Sequence, residues 1–327
     1  VWQRVAEDYA PFDVDVTTED PGDAAITRSG SGDTVFGTRA LITSDAAAWS
    51  AACGQGCGGV AYVGTFDQTS NHANYQPAFV FASGVPGGKS IAEAVSHEVG
   101  HNLGLSHDGV VAQNGQAAQG YYTGCLPPST SSCAGIWAPI MGVGYYKPIS
   151  QWSKGEYTYA NNTQDDLAVI QSNGLDVRAD DHGDSTGTAT ALGGTGTLAT
   201  SGIISTATDV DFFAFTAGAG ALNVTASPAS VSPNLDISLE LRDGNGSLLT
   251  TVNPTAAMSS TDVATGLNAT LSYTLPSSGT YYLVVSGVGS GNAASGGYSD
   301  YASIGQYSIT GTAPAGGGGG GGGGGSA

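Results

Sequence analysis

With 327 residues, 40 % of them hydrophobic, the chain is long enough for two domains with packed cores. Lys and Arg number 8 against 27 Asp and Glu, a net charge of −19 that excludes nucleic acid and anionic membrane surfaces as expected partners. No run of roughly eighteen apolar residues occurs, so no membrane insertion is predicted.

Residues 1–178 mix helical and strand patterns. Residues 1–9 carry apolar side chains at helical spacing, whereas residues 12–17 alternate with period two, as a strand does. The other predicted elements are strands at 38–43, 59–64 and 78–83, a helical turn at 46–52, a helix at 90–102 and a closing helix at 161–173. This mixture indicates an α+β domain.

From residue 180 onwards the helical pattern disappears, and short apolar runs recur between Gly, Pro and Asn turns. The runs cover 202–206, 211–216, 222–226, 236–242, 247–252, 269–275, 280–285 and 306–310. Regular short strands of this kind predict an all-β antiparallel sandwich over residues 179–313. Residues 314–327 contain ten consecutive glycines and are expected to form a flexible tail, either a linker to a removed C-terminal segment or an expression artefact.

The strongest chemical signal is the stretch HEVGHNLGLSHD, which lies on the predicted helix 90–102 and just beyond it. His97 and His101 project from one face of a helix, so both imidazoles can bind a single Zn²⁺. Glu98 lies one step round the helix and is the expected general base. A turn after the helix lets His107 return as the third ligand, which leaves a fourth position for water, as in catalytic zinc sites.

The complete pattern H-E-x-x-H-x-x-G-x-x-H fixes five identities in eleven positions and is far more specific than H-E-x-x-H alone. It resembles the metzincin zinc metalloproteases, and Asp108 makes it similar to their reprolysin (adamalysin) branch. The resemblance implies an α/β-type twisted mixed sheet with an active-site helix and an antiparallel edge strand over residues 1–178, with the family's first strand missing.

The same resemblance implies roles for residues outside the motif. Met141 falls where the family has its Met-turn and would pack beneath the metal. The pocket for a substrate side chain would be walled by Gly142, Val143, Gly144 and Tyr145. The edge strand, which would pair with an extended polypeptide substrate, would comprise Gly59, Val60, Ala61, Tyr62 and Val63.

The four cysteines form two close pairs, Cys53 with Cys57 and Cys125 with Cys133. We favour two local disulfides, as in secreted proteins, over a Cys₄ zinc site, because such sites usually have tighter C-x₂-C spacings. The sequence leaves the pairing open.

Two segments of the C-terminal half, 209–215 and 278–285, resemble the bacterial pre-peptidase C-terminal domain, a β-sandwich often appended to secreted proteases. Such domains sometimes hold Ca²⁺ near their start. The candidate oxygen donors are Asp180, Asp181, Asp184, Asp209 and Asp211, with a turn-and-capping role as the alternative. The two remaining histidines, His72 and His182, are expected at the surface.

Together these resemblances predict a bacterial, secreted, monomeric zinc endopeptidase that hydrolyses peptide bonds of extracellular proteins. A removed C-terminal segment that linked the protein to the cell surface is compatible with this prediction. Two alternatives stay open. One is a catalytically degenerate binding or adhesion protein that uses the β-sandwich, although the intact Glu98 argues against it. The other is a zinc hydrolase that acts on an ester or amide of a small molecule.

Overall fold

The longest helix of the described residues, Gly87–Asn102, belongs to the N-terminal region, which we define as residues 1–178. The computed structural model describes residues 1–113, 115–129, 133–193 and 196–315. The helices of the N-terminal region are α1 (Trp2–Asp8), α2 (Asp23–Ile26), α3 (Ala46–Cys53), α4 (Gly87–Asn102) and α5 (Asp166–Ser172). Its strands are β1 (Ala40–Thr43), β2 (Gly59–Val60), β3 (Ala78–Phe81), β4 (Trp137–Pro139) and β5 (Ile149–Gln151).

A three-stranded mixed sheet in the order β1-β3-β2 lies beside α4. β1 runs parallel to β3, with Ala40 opposite Ala78, and β2 runs antiparallel to β3, with Val60 opposite Phe79. Among the described residues, β1 pairs only with β3, so its other edge is open. The sheet therefore has the expected antiparallel edge strand, in shorter form.

The predicted strand at 59–64 ends at Val60 because the C-terminal end of α4 holds the residues that follow. The Asn102 side-chain amide donates to the Tyr62 carbonyl at 2.9 Å, and Gly64 N donates to the His101 carbonyl at 2.9 Å. Hydrogen bonds to a helix end thus replace the ladder that a longer strand would need.

The strand predicted at 12–17 is wrong. Phe12 makes only an isolated antiparallel bridge with Val177, and Asp13 N donates to the Asp176 carbonyl at 2.9 Å. Phe12 is fully buried, so the segment is fixed by its contact with the end of the N-terminal region rather than by a sheet.

Helix α4 is buried over most of its surface. Ala92 and Val95 join Leu103 and Ile140 in the core of the N-terminal region, and α1 and β3 pack against the helix. A helix surrounded in this way shows only a weak apolar stripe. It begins at Gly87, three residues before the predicted start.

The closing helix α5 is shorter than the predicted 161–173. It begins after Asp165, whose side chain accepts a hydrogen bond from Ala168 N at 3.0 Å. Upstream, the Asn161 side chain accepts from Gly109 N at 2.8 Å. That contact ties the residues before the cap to the loop that follows His107.

Both predicted disulfides are present. The Sγ atoms of Cys53 and Cys57 lie 2.04 Å apart, and those of Cys125 and Cys133 lie 2.09 Å apart. Because each pair is bonded internally, the Cys₄ zinc site is wrong.

The C-terminal region, residues 179–315, is a β-sandwich. Its strands are β6 (Thr190–Ala191), β7 (Thr197–Ile204), β8 (Val210–Ala217), β9 (Gly220–Pro228), β10 (Ile237–Arg242), β11 (Leu248–Val252), β12 (Ala257–Ser260), β13 (Val263–Thr265), β14 (Ala269–Leu275), β15 (Gly279–Gly287) and β16 (Gly305–Thr312). One sheet has the order β11-β10-β15-β8-β6 and the other β14-β9-β16-β7. All eight predicted runs overlap strands, which confirms a β-rich region of mainly antiparallel strands; the short β6 is the exception and pairs in parallel with β8.

The core between the two sheets follows from strand alternation. Leu222 and Val224 on β9 face the same side, and Leu239 on β10 and Leu283 on β15 meet them from the opposite sheet; all four are buried. The short strands β6, β12 and β13 were not predicted because two to four residues carry too little pattern.

No helix in the described part of the chain is both long enough and apolar enough to cross a membrane. Residues 316–327 of the predicted tail lie outside the described residues.

Candidate metal centre

Three histidines converge at the C-terminal end of α4. His97 and His101 lie one turn apart on the helix, with ring centroids 4.8 Å apart. The chain leaves the helix through Gly104, whose φ of +89° suits glycine, and returns His107 to within 4.8 Å of the His101 ring. The ligand nitrogens of the three side chains all lie within 4.8 Å of one another.

Backbone carbonyls fix the orientation of two of these rings. His97 Nδ1 lies 2.9 Å from the Ile140 carbonyl, and His101 Nδ1 lies 2.7 Å from the Leu105 carbonyl. Since a carbonyl only accepts, Nδ1 carries the proton in each ring, and Nε2 keeps its lone pair. His101 Nε2 lies 3.0 Å from His107 Nε2. The lone pairs therefore point to a shared space, as the ligands of one metal ion require.

The electrostatics favour neutral imidazoles. Burial lowers the pKa of His97 to about 3 and that of His107 to about 4, and it also lowers the pKa of His101. Neutral imidazole is the form that binds metal. The donor set thus fits a divalent cation of zinc type, with three nitrogen ligands and an open position.

Glu98 lies next to the histidines, 6 % exposed. Burial raises the pKa of Glu98 to about 8, whereas a cation on the adjacent histidines would favour its ionised form. The edge strand β2 packs directly against it: a Cβ at Gly59 would lie 2.5 Å from Glu98 Oε1 and 2.6 Å from the Phe79 carbonyl oxygen. Only glycine leaves room for the carboxylate at this point.

Met141 lies beneath the histidine helix and is fully buried. Its Sδ would be 2.6 Å from a Cβ at Gly100, the residue before His101. The Met141 carbonyl accepts from Asp108 N at 2.8 Å, which ties this turn to the segment carrying His107.

The residues after Met141 contact both α4 and the segment that leads into β2. Gly144 touches Glu93, since a Cβ there would lie 2.6 Å from Glu93 Oε2. The Tyr145 hydroxyl approaches Gly58, and burial, reinforced by the carboxylates of Glu93 and Glu98, raises the pKa of the Tyr145 phenol. Val143 N donates to the carbonyl of Tyr122.

Of the predicted edge-strand residues, Gly59 and Val60 pair with β3, whereas Ala61, Tyr62 and Val63 continue beyond the strand. Tyr62 and Val63 are 57 % and 59 % exposed, so the segment that follows β2 is accessible from solvent.

Tyr121 was missed as a site residue. Its ring centroid lies 4.4 Å from that of His107. The loop after His107 doubles back through paired hydrogen bonds between Val110 and Gln119, and this return brings Tyr121 to the centre. No local pattern in the sequence signals such a loop closure.

The five acidic candidates of the C-terminal region separate into two groups. Carboxylate oxygens of Asp180, Asp181 and Asp211 lie within 4.8 Å of one another. Asp184 instead accepts from Val210 N, at the start of β8, at 3.2 Å. Asp209 accepts from the amide and hydroxyl of Ser205 in a local turn. Asp211 is fully buried, and its Oδ1 has no hydrogen-bond partner among the described residues.

The two remaining histidines, His72 and His182, make hydrogen bonds within the fold and lie outside the metal centre. His72 was expected at the surface but is 2 % exposed; its Nδ1 accepts from Arg28 N and its Nε2 lies 2.9 Å from the Phe66 carbonyl. His182 lies 2.9 Å from both Thr190 Oγ1 and the Ser201 carbonyl.

Comparison with known proteins gives matches to two family models. Residues 34–153 match a reprolysin-type model described as metallo-peptidase family M12, and residues 209–287 match the bacterial pre-peptidase C-terminal domain. No curated protein sequence matches the chain.

Solved structures similar to the chain include the pre-peptidase C-terminal domain of collagenase from Bacillus anthracis, with 13 % identity over 39 % of this chain and 96 % of that one, at a TM-score of 0.25. PliG from Aeromonas hydrophila, a periplasmic inhibitor of g-type lysozyme, has 15 % identity over 38 % of this chain and 95 % of its own, at a TM-score of 0.25. PliG from Salmonella Typhimurium has 21 % identity over 38 % of this chain and 95 % of its own, at a TM-score of 0.23. These TM-scores are too low to support an argument, so the assignment rests on the family models. The chain thus joins a reprolysin-type domain of metallo-peptidase family M12 to a bacterial pre-peptidase C-terminal domain.

Proposed function

We propose that the chain is a secreted, zinc-dependent endopeptidase of metzincin fold that hydrolyses peptide bonds of extracellular proteins. The observation that carries the proposal is the convergence of His97, His101 and His107 beside Glu98, inside the region that matches metallo-peptidase family M12. We keep the domain division at 1–178 and 179–313 as part of the same proposal.

In this proposal the three histidines would hold one Zn²⁺, His97 and His101 through the Nε2 atoms that their carbonyl contacts leave free. Bound Zn²⁺ would act as the Lewis acid that polarises the scissile carbonyl and lowers the pKa of the attacking water. Glu98 would accept the proton of that water and deliver it to the leaving amine. The Ile140 and Leu105 carbonyls would hold His97 and His101 in the tautomer that binds metal.

Substrate binding is proposed at the margin formed by β2 and the residues after Met141. An extended polypeptide would pair with Gly59 and Val60 on the free edge of β2, next to Glu98. Tyr145 and Gly144 would line the space for one substrate side chain, with Glu93 behind them. Met141 would form the apolar floor below the histidines.

Secretion by a bacterium is supported by the two disulfides and by the pre-peptidase C-terminal match, both typical of exported proteins. We propose a monomer that acts on polypeptides, with neither nucleic acid nor a membrane as partner, given its net charge of −19. The alternative of a degenerate binding protein is less well supported, because the complete histidine set and Glu98 are retained.

The proposal is tested by incubating the purified, zinc-loaded chain with a peptide library derived from a denatured proteome. We expect new internal cleavages that stop on chelation and return on addition of zinc. A loaded chain that leaves every peptide intact but hydrolyses small esters would contradict an endopeptidase.

Gly59→Ala is expected to lower the cleavage rate by roughly 10- to 100-fold, because the new Cβ must displace either Glu98 or strand β3. Zinc content should stay at one per chain, since no ligand moves away. Gly88→Ala is the matched control, because a Cβ there meets no atom within 4 Å. Equal rates for both variants would show that Glu98 is not confined by β2.

We also propose that Asp180, Asp181 and Asp211 bind Ca²⁺, supported by the unpartnered, buried Oδ1 of Asp211. Saturating Ca²⁺ should then stabilise the chain by roughly 2–3 kcal/mol, measured as a rise of the unfolding temperature over that in a chelator. Asp211→Asn should abolish the rise, whereas Asp184→Asn should retain it. No difference between Ca²⁺ and chelator in the parent chain would refute the site.

A further inference from the structure

The C-terminal region shares buried side chains with the N-terminal region. Tyr298, Leu267 and Ala256 pack with Tyr122, Trp137 and Tyr157 in one apolar cluster, and Tyr301 enters the core that also holds Met141. Gln306 donates through both its backbone and its side chain to the buried Glu7 of α1. The two regions therefore meet in a packed interface.

Asn234, just before β10, makes two hydrogen bonds across this interface. It is 4 % exposed, and its side-chain amide donates to Asp8 Oδ1 at 2.9 Å. Its backbone carbonyl accepts from Gln151 Nε2 at 2.5 Å. Both partners belong to the N-terminal region and are themselves buried.

The first connection leads from Asp8 to the histidine helix. Asp8 Oδ2 accepts from Ser96 Oγ at 2.5 Å, and Ser96 is the residue before His97. The Tyr9 hydroxyl donates to the Ser96 carbonyl at 2.9 Å. The back of α4 at this turn is thus held by a carboxylate that Asn234 orients.

The second connection leads from Gln151 to the ring of the same histidine. The Gln151 carbonyl accepts from Ile140 N at 2.9 Å, and the Ile140 carbonyl lies 2.9 Å from His97 Nδ1. Since Ile140 also precedes Met141, this path reaches the floor of the site. Both paths that start at Asn234 end at His97.

We propose that Asn234 is a positioning residue for the metal centre, and that the C-terminal β-sandwich is part of the framework that orients His97. This rests on the proposed function only in taking His97 as a metal ligand. Asn234 touches neither metal nor substrate and acts through Asp8, Ser96, Gln151 and Ile140. Outer partners of a ligating histidine typically change metal affinity by roughly 10- to 100-fold, and a more distant residue is expected near the lower limit.

The test measures metal release in the full chain. Asn234→Leu removes the amide while keeping the number and branching of the side-chain heavy atoms. We expect Zn²⁺ transfer to a chromogenic chelator to accelerate by roughly 10-fold, and the visible spectrum of the Co²⁺-loaded variant to shift from that of the parent. Both readouts are independent of peptide cleavage, so a chain that binds metal but cleaves no peptide refutes the proposed function without refuting this inference.

Tyr301→Phe is the matched control. It deletes a hydroxyl of the same interface, which contacts Leu167 N on α5 and the side chain of Asp165 just before that helix. In the described part of the chain, this hydroxyl makes no hydrogen bond to Asp8, Ser96, Gln151 or Ile140. We expect a lower unfolding temperature with parental metal release and Co²⁺ spectrum. If both variants release Zn²⁺ equally faster than the parent, Asn234 contributes only to the general stability of the interface, and the proposal is overturned. Zn²⁺ release at the parental rate in Asn234→Leu would overturn it as well.

A reciprocal exchange decides the question even if Asn234→Leu does not fold. Asn234→Asp alone places a second carboxylate against Asp8 and should accelerate release. The Asp8→Asn/Asn234→Asp double variant puts the amide on α1 and the carboxylate on the sandwich, so hydrogen bonds to each other and to Ser96 can re-form. Release should then return toward the parental rate. A double variant as fast as Asn234→Asp would contradict the proposal.

Discussion

Glu98→Gln is expected to cleave peptides at least about 100-fold more slowly than the parent chain, because loss of general-base catalysis typically costs ~10²–10⁴-fold. The amide has nearly the same shape as the carboxylate, so β2 and α4 should keep their packing at Gly59. His97, His101 and His107 are untouched, and zinc should remain at one per chain. The measurement is kcat on a fluorogenic peptide beside metal analysis of the same sample.

The matched control for that result is Glu240→Gln, the same chemical change on β10 of the sandwich, where Glu240 forms an ion pair with Arg242. It should cleave at the parental rate. If Glu98→Gln digests peptides as fast as the control, Glu98 is not the base. If it loses zinc as well as activity, the carboxylate serves metal binding instead.

His101→Ala is expected to lose metal and activity together. It removes the central of three ligands, the one whose ring lies 4.8 Å from each of the other two. Two remaining imidazoles cannot complete the tetrahedral set of a catalytic zinc site. The variant should also lose the stabilisation that metal binding gives the folded state, seen as an unfolding temperature that no longer responds to zinc.

His182→Gln controls for a general effect of removing a histidine, since the His182 ring contacts Thr190, Ser201 and Asp181, all in the C-terminal region. It should retain zinc and activity. Full zinc content in His101→Ala would mean that the ion is bound elsewhere in the chain, and the proposed ligand set would have to be abandoned.

The sequence predicts well what depends on short spacing. The four-residue interval between His97 and His101 and a glycine at 104 are local features, and the structure brings the three histidines together as such an interval suggests. The strands of the sandwich follow the same rule, because alternation along a single strand decides which residues face the core.

The failures share a different cause. The segment at 12–17 alternates like a strand, yet its partners are residues 176–178, which no local pattern reveals. Tyr121 reaches His107 only because its loop folds back on itself. Asn234 meets Asp8 across 226 positions of sequence. Contacts of this kind depend on packing between distant segments, which spacing and composition do not encode.

The most direct test of the metal-dependent mechanism is a titration of the metal-free chain with Zn²⁺ while peptide cleavage is followed. The proposal predicts no cleavage before zinc is added. The cleavage rate should then rise linearly and stop rising at one Zn²⁺ per chain, and His101→Ala should cleave no peptide at any zinc concentration. Cleavage by the metal-free chain, or a chain that binds one Zn²⁺ at these histidines and still leaves peptides intact, would contradict it.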